Sequence, residues 1–580
     1  MKRILFVITV MVLTFSLSAQ NYLPDSLQSK YHMLTWDELE NHKKGNKAAK
    51  SITPTAPPEG FVRNIAEWEP NQGVIIAYPT GYYGGFGIPV SLIQQLADIT
   101  HVYLLYASSE DLSDIQNELN NGSVNTENVS YHEIPINTYW TRDFSPWFIQ
   151  HGTTPEAGIV NFEYNRDRPD DNNVPVDFGS ILGVDVFGME VAHTGGNYMC
   201  DGMGKAASTT LVYDENASGT YYSISSTEVD SRMQDYLGID DYLVVDDPMD
   251  DYIEHIDCWA KFLDVDKVLV GEVPETDSRY DDYEAAADYF ANHESSYGSN
   301  FEVYRAYSPD GQPYTNSLIM NGHVFVPVPA SGPDDYWNDD AIAVYEEAMP
   351  GYQIHAVENT TAPAWQSTDA LHCRTHEVAD VEMLHIYHSA LYGLYEPGSD
   401  YEISADIASY GGSDLIADSL RVYYRVNHGN WQYELMSNEA GNTYTANIPE
   451  QNAGDSIEYI IRASDVSGRT ESHPYIGFPD PHLFVIDGSS ESIGQHNTPR
   501  ISCFPNPVKD QLNLALHHFG NEAAELIITD INGKTIKRIS LDNADDWTLL
   551  KINIEDLPAG TYMIRVLGEN SFATGKFIRQ

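Results

Sequence analysis

The chain has 580 residues, too many for one hydrophobic core, so several domains are expected. Its 31 Lys and Arg against 86 Asp and Glu give a formal net charge of −55, a field that repels nucleic acid and anionic membrane and draws in cationic ligands, while much of it serves solubility. Hydrophobic and aromatic contents of 42% and 12% exclude a disordered chain, and 39 tyrosines favour strand-rich surfaces.

Lys2 and Arg3 precede an apolar stretch from Ile4 to Leu17 and the small pair Ser18-Ala19, so residues 1–19 read as a signal peptide. The stretch is shorter than the ~18–20 residues of a spanning helix, which predicts a mature protein outside the cytoplasm with no transmembrane segment. Residues 20–59 are polar and end in Thr53-Pro54-Thr55-Ala56-Pro57-Pro58, a leader followed by a stiff linker. Over residues 60–388, Gly73–Tyr78, Val102–Tyr106, Lys267–Val270, Ser317–Met320 and Val324–Val328 predict strands. Pro89–Thr100 and Asp281–His293 carry helical spacing, so this region is predicted to be α/β with mixed sheets.

The character changes over residues 389–487. Leu420–Val426, Thr443–Ile448, Ser456–Ala463 and His482–Ile486 alternate with turns such as His428-Gly429-Asn430, which predicts an immunoglobulin-like β-sandwich. A polar linker over 488–500 leads to a small all-β segment, 501–580, with turns at Asn532-Gly533 and Pro558-Ala559-Gly560. The acidic pairs Asp246-Asp247, Asp250-Asp251 and Asp334-Asp335 with Asp339-Asp340 could hold structural calcium, but none has EF-hand spacing and solvated loops are the simpler reading. Only Cys200, Cys258, Cys373 and Cys503 are present, so there is no dense disulfide framework. Either one thiol is kept for reactivity, or the four form two bridges.

Three local motifs carry chemistry. Tyr139-Trp140-Thr141-Arg142-Asp143 places an acid among aromatics. His255-Ile256-Asp257 has the i, i+2 spacing that puts two side chains on one face of a strand. Leu371-His372-Cys373-Arg374-Thr375-His376 surrounds a cysteine with basic groups that favour a thiolate. Each alone has an ordinary explanation: a surface ion pair, a structural His-x-Asp, a small core thiol. Together they suit one task. Carboxylates take paired N–H bonds from a planar cation, a thiolate attacks its carbon, and an imidazole moves protons near neutral pH.

In chain order the motifs are Ala66-Glu67-Trp68-Glu69-Pro70-Asn71-Gln72-Gly73, Trp140-Thr141-Arg142-Asp143 and Thr194-Gly195-Gly196-Asn197 with Asp201-Gly202. They continue with His255-Ile256-Asp257-Cys258-Trp259, Tyr314-Thr315-Asn316-Ser317 with Asn321-Gly322, and His372-Cys373-Arg374-Thr375-His376-Glu377. This series, from about Val62 to Asp380, resembles the guanidine-modifying (pentein) superfamily, in particular the bacterial peptidylarginine deiminases allied to agmatine deiminases. The resemblance implies a five-bladed β/α propeller with a central site. Cys373 would be the nucleophile and His255 the general acid and later base. Asp143 and Asp257 would clamp the guanidinium, Asn316 would position reacting groups, and Trp140 would join the substrate contacts. No metal or organic cofactor is implied.

Tyr164-Asn165-Arg166-Asp167-Arg168-Pro169 resembles a segment of the secreted peptidylarginine branch, which implies that Arg166 and Arg168 bind the carboxylate of a C-terminal arginine. The alternative is a basic loop paired with Glu163 and Asp167. The expected partners are arginine-containing peptides or proteins. An exported agmatine or free-arginine deiminase, an amidinotransferase and a noncatalytic surface adhesin stand as alternatives. Cys258 would face away from Asp257 on a strand and serve as a buried structural thiol, with a second functional thiol or a bridge to Cys200 as the other options.

The end of the chain carries Phe504-Pro505-Asn506-Pro507, Leu512-Asn513-Leu514, Asp530-Ile531-Asn532-Gly533-Lys534, Leu557-Pro558-Ala559-Gly560-Thr561-Tyr562 and Lys576-Phe577-Ile578. These resemble the C-terminal sorting domain of the type IX secretion system. The resemblance implies passage through that machinery to free secretion or the outer-membrane surface, and it makes Cys503 a poor catalytic candidate.

Overall fold

A computed structural model describes residues 52–79, 85–108, 110–249, 253–330, 335–359 and 364–487, and then 500–504, 508–509, 511–517, 519, 522–530, 534–544, 547–568 and 572–579. Residues 1–19, expected to be a signal peptide, residues 20–51, the predicted linker over 488–499, Asp250-Asp251, Asp334, Pro505-Asn506-Pro507 and Ile531-Asn532-Gly533 lie outside the described residues.

The described residues from Phe61 to Ala379 form five separate sheets. In each, an antiparallel pair is followed by a parallel one. Ala260–Asp264 runs antiparallel to Lys267–Glu272, which runs parallel to Glu302–Tyr307. Leu318–Met320, His323–Val328 and Gln353–Glu358 repeat the pattern. So do Trp147–Gly152, Glu156–Tyr164 and Asp185–His193, and Met199–Cys200, Lys205–Thr209 and Asp241–Val245. Parallel neighbours need a crossover, and the helices Pro169–Leu182, Ser226–Leu237, Tyr280–Ala291 and Asn338–Ala348 supply it. The mixed sheets thus follow from one repeated hairpin–helix–strand unit.

The fifth sheet joins the two ends of the region. His376–Ala379 pairs antiparallel with Asn71–Tyr78, which continues in parallel with His101–Tyr106 across the helix Val90–Ile99. In Asn71–Tyr78 the residues Val74, Ile75, Ile76 and Ala77 are all buried, as expected of a strand covered on both faces. The helix buries Leu92, Ile93, Leu96 and Ala97, an apolar stripe at helical spacing, against it.

Beyond residue 380 the regular elements of the described chain are strands, apart from one 3-10 turn at Ala417–Ser419. One sheet comprises Leu384–Tyr387, Tyr401–Ser409, Thr443–Ile448 and Ser437–Ala440. The other comprises Gly393–Tyr395, His482–Ile486, Ser456–Ser464, Arg421–Val426 and Gln432–Leu435, with Thr470–His473 beside Ser456–Ser464. Tyr401, Ile403, Ala405 and Ile407 alternate with exposed Glu402, Ser404 and Asp406, which gives this strand one buried face. Paired charges tie these sheets to the α/β region. Arg469 grips Asp380 at 2.6 and 2.9 Å, and Lys267 pairs with Asp480. Buried Arg63 donates to Glu69 at 2.7 and 2.8 Å and to the Tyr410 hydroxyl oxygen at 2.8 Å. Charge this deep is tolerated only when it is paired. The last strands, from Arg500 to Arg579, form two further sheets around Leu512, Leu514, Leu526, Ile528, Ile564 and Phe577. Among the described residues no helix is long and apolar enough to cross a membrane.

Candidate active site

Of the predicted site residues, Trp140, Asp143, His255, Asp257, Asn316 and Cys373 sit in, or directly beside, a short turn that leads into an antiparallel strand, whereas Arg166 and Arg168 lie in the loop between Glu156–Tyr164 and the helix Pro169–Leu182. Asp143 lies in Thr141–Phe144, ahead of Trp147–Gly152. Gly195–Asn197 precedes Met199–Cys200. Asp257 lies in Ile256–Cys258, ahead of Ala260–Asp264, with His255 at its start. Asn316 precedes Leu318–Met320, and Cys373 lies in His372–Arg374, ahead of His376–Ala379. One equivalent turn from each of the five sheets therefore contributes to a single buried cluster. Cys373, His255, Asp143 and Asp257 are all at most 3% exposed.

Asn316 organises the sulfur. Its Nδ2 donates to Cys373 Sγ at 3.3 Å, while its Oδ1 accepts the backbone N–H groups of His372 (2.9 Å) and Cys373 (3.3 Å). Asp257 Oδ2 lies 3.9 Å from the same sulfur. On the other side of the cluster, His255 Nδ1 is 3.7 Å from Asp143 Oδ1, and the Tyr164 hydroxyl donates to Asp143 Oδ2 at 3.5 Å. Asn197 fixes the His255 segment by accepting the N–H groups of Thr209 (2.9 Å) and Ile256 (3.2 Å). Gly196 packs against both acid and imidazole: a Cβ there would lie 2.6 Å from His255 Nδ1 and 2.8 Å from Asp143 Oδ1. Gly196→Ala should therefore displace one of them and lower kcat/KM by about 100-fold, because small misplacements of catalytic groups are costly. Kinetics alongside a melting curve check this, and wild-type activity in the alanine variant would refute it.

The charge environment differs from the sequence expectation in one respect. The basic neighbours of Cys373 do not support a thiolate. Burial, then Asp257, Asp369 and Asp143, push the thiol well above its ordinary range. His372 is engaged by Asp257 at 2.7 Å and by Glu67 at 3.0 Å. Arg374 holds Asp369 through two 2.8 Å bonds and lies over Trp365 and Tyr139. Burial lowers His376 to about 4. The positive charges expected around the sulfur are thus spent on other acids.

Asp257 is held differently. Burial alone would raise its carboxyl, but the bond and charge of His372, with His255 and Arg142, keep it below its usual value. Its segment is a three-residue 3-10 turn rather than a strand, which corrects the i, i+2 argument. The same turn corrects the placement of Cys258, whose Sγ reaches Asp257 Oδ1 at 3.6 Å instead of facing away. Burial, then Asp257, push the Cys258 thiol well up. Cys200 and Cys258 are buried free thiols, as is Cys373, and no bridge joins the first two.

Trp140 is fully buried, with the Arg168 guanidinium 5.0 Å over its ring. Arg168, only 2% exposed, donates to the Tyr164 hydroxyl at 3.4 Å, so the loop connects to Asp143 through Tyr164. Arg166 donates to the Asn165 carbonyl at 2.9 Å and lies 3.9 Å from Glu215. Burial pushes the Glu215 carboxyl up to about 7. Sequence reasoning did not single out Glu215.

It also missed an ionic chain behind the site. Glu67 Oε2 accepts Lys261 Nζ at 2.7 Å, Glu67 Oε1 accepts the Ile319 N–H at 2.7 Å, and Arg142 pairs with Glu377 at 2.6 Å. A cavity there is lined by Glu67, Lys261, Arg142, Glu377, Trp147 and Tyr198; Asp257 and His372 also border it, whereas Cys373, His255 and Asp143 do not. Glu67 and Glu377 stood inside the quoted motifs, but nothing in the sequence tied Glu67 to His372. Among the described residues no group of three or more His, Cys, Asp or Glu is placed to hold a metal ion.

Comparison with known proteins gives the family. The model of the Porphyromonas-type peptidyl-arginine deiminase family matches residues 63–378, more than half of the chain, and the chain belongs to that family. Membership of that family makes it a hydrolase acting on C–N bonds of guanidino groups. A candidate agmatine deiminase of Vibrio parahaemolyticus is 23% identical over 287 residues, covering 42% of this chain and 77% of that protein. One from Legionella pneumophila is 22% identical over 352 residues, covering 56% and 97%. An X-ray structure described as a candidate agmatine deiminase aligns with a TM-score of 0.50 and 19% identity, covering 57% of this chain and all of that one, which supports a shared fold. The agmatine deiminase of Enterococcus faecalis aligns with a TM-score of 0.48 at 19% identity, over 57% and 99%. A second family model, the secretion system C-terminal sorting domain, matches residues 502–580 and marks the chain for type IX export.

Proposed function

We propose that this chain is an exported peptidylarginine deiminase that hydrolyses the guanidinium of peptide arginine, preferably C-terminal arginine, to citrulline and ammonia. The observation that carries the reading is the meeting of Asp143, His255, Asp257 and Asn316 around the Cys373 thiol. The two carboxylates would clamp the guanidinium through paired N–H bonds. Arrival of that cation offsets the negative field around the thiol, so substrate itself promotes ionisation of the nucleophile, whose proton passes to His255. The thiolate then adds to the guanidinium carbon. The C–N bond breaks as His255 gives its proton to departing ammonia, leaving a thiouronium on Cys373. His255 next takes a proton from water as the oxygen attacks the same carbon. The C–S bond breaks and the sulfur leaves as citrulline is released. Only side chains act in this course, with no metal or organic cofactor.

The five sheets are read as blades of a β/α propeller, residues 389–487 as an immunoglobulin-like accessory sandwich, and residues 1–19 as a signal peptide, with either free secretion or surface attachment at the end of export. Arg166 and Arg168 are the proposed carboxylate readers. The Arg168–Tyr164–Asp143 chain supports their closeness to the clamp, although Arg168 must exchange part of its burial for the ligand. A small-molecule deiminase is the competing reading, favoured by the names of the relatives. Kinetics on a peptide ending in arginine, its amidated form, agmatine and free arginine separate the two. Combined Arg166→Ala and Arg168→Ala should raise KM for the C-terminal arginine about tenfold more than for the amidated peptide, the scale of a lost charge-assisted pair. Equal effects on both would mean that the loop does not read the carboxylate.

A further inference from the structure

We propose that His372 is a positioning residue of this site: its ring, carrying hydrogen on both nitrogens, ties Asp257 to Glu67 and so fixes the carboxylate oxygen beside the Cys373 sulfur. The inference rests on the functional reading above and adds to it a residue that neither attacks nor transfers a proton to substrate.

The argument begins with donors and acceptors. His372 Nδ1 lies 2.7 Å from Asp257 Oδ2, and Nε2 lies 3.0 Å from Glu67 Oε2. A neutral imidazole donates from one nitrogen only, so one of these contacts would oppose two lone pairs unless a carboxyl kept a proton. Neither carboxyl is suited to keep one. Glu67 already accepts Lys261 Nζ at 2.7 Å on Oε2 and the Ile319 N–H at 2.7 Å on Oε1, and Asp257 also feels the positive charges of His255 and Arg142. Both are therefore carboxylates, and the ring supplies both hydrogens.

The surrounding charges agree. The groups facing the ring and its partners are Asp257, Glu67 and Glu377, with Lys261 bonded to Glu67, Arg142 bonded to Glu377, and His376 nearby. Three buried carboxylates are then met by three cations, Lys261, Arg142 and His372. A neutral His372 would leave the buried group one positive charge short, an expensive state away from water.

The consequence for the reaction lies in Asp257. The oxygen gripped by His372 is the one 3.9 Å from the sulfur. With that oxygen pinned, the carboxylate is oriented before any substrate arrives, and orientation settled in advance is a large part of catalytic advantage. Glu67, anchored in turn by Lys261 and by the Ile319 N–H, is the fixed post at the other end.

The test uses variants of the full chain that keep one tie each. His372→Asn places an amide donor near Nδ1 and retains the link to Asp257. His372→Gln reaches toward Glu67 and retains only that link. The expected result is a fall in kcat/KM of about 100-fold or more for His372→Gln and His372→Ala, and of less than about tenfold for His372→Asn, with similar melting temperatures throughout. Equal losses in the Asn and Gln variants would overturn the proposal. A second measurement requires no turnover. Nitrogen-15 spectra of histidine-labelled wild-type protein, with the His372 signals assigned by their loss in one variant, should show both ring nitrogens protonated at pH 7. A neutral tautomer there would overturn it. Failure of the wild-type chain to form citrulline from any arginine compound would instead defeat the functional reading, while the spectra still decide the state of His372.

Discussion

Replacing Cys373 by alanine should reduce citrulline formation by roughly 10⁴-fold or more, because the variant has no atom to form the bond on which the reaction depends. The substitution removes one buried sulfur and its contact with Asn316, while the Asn316 bonds to the backbone of His372 and Cys373 stay intact. The site should therefore keep its shape, and the melting temperature should change by only a few degrees. Binding should survive as well, since the proposed clamp, Asp143 and Asp257, is untouched. A calorimetric titration with an arginine-terminated peptide should give an affinity close to wild type. Turnover near the wild-type rate would remove Cys373 from the mechanism. Loss of both binding and fold would show only that the sulfur is structural.

His255→Ala should slow both chemical halves, by about 10² to 10⁴ overall, the range for a positioned acid and base. The ring lies beside Asp143, against Gly196, and is fixed by the Asn197 bond to Ile256. Its removal leaves a space without disturbing the turn that carries Asp257. Rapid-quench kinetics should show slower formation of the covalent adduct and slower decay. If formation alone slowed, water activation would belong to another group. A kcat within about threefold of wild type would exclude His255 from both steps.

How far these residues could be read before the fold was known depended on the distance over which each signal acts. The strand Asn71–Tyr78 and the helix Val90–Ile99 were legible because burial on two faces leaves a continuous apolar run, whereas burial on one side of a helix leaves a stripe. The turn Ile256–Cys258 was not, because three residues are too few to establish a period, and a His-x-Asp triplet looks the same in a strand. That error carried directly to Cys258, whose thiol touches the carboxylate it was expected to avoid.

The charge around Cys373 was misread for a related reason. His372, Arg374 and His376 flank it in sequence, but their partners Glu67, Asp257 and Asp369 come from elsewhere in the chain or claim the charge first. Sequence neighbours suggested a cationic pocket, while folding delivered an anionic one. That sign is what a site for a cation requires. The repeated architecture was also concealed. Helices of differing length separate the strands, and the last strand of the fifth sheet pairs with one at the opposite end of the region.

The most direct test of the mechanism is mass spectrometry on acid-quenched enzyme during turnover of an arginine-terminated peptide. The digest fragment containing Cys373 should carry the mass of the substrate less ammonia, and the adduct should persist longer in His255→Ala. Citrulline accumulating while Cys373 stays unmodified throughout, with Cys258 or no thiol bearing the adduct, would contradict the assignment.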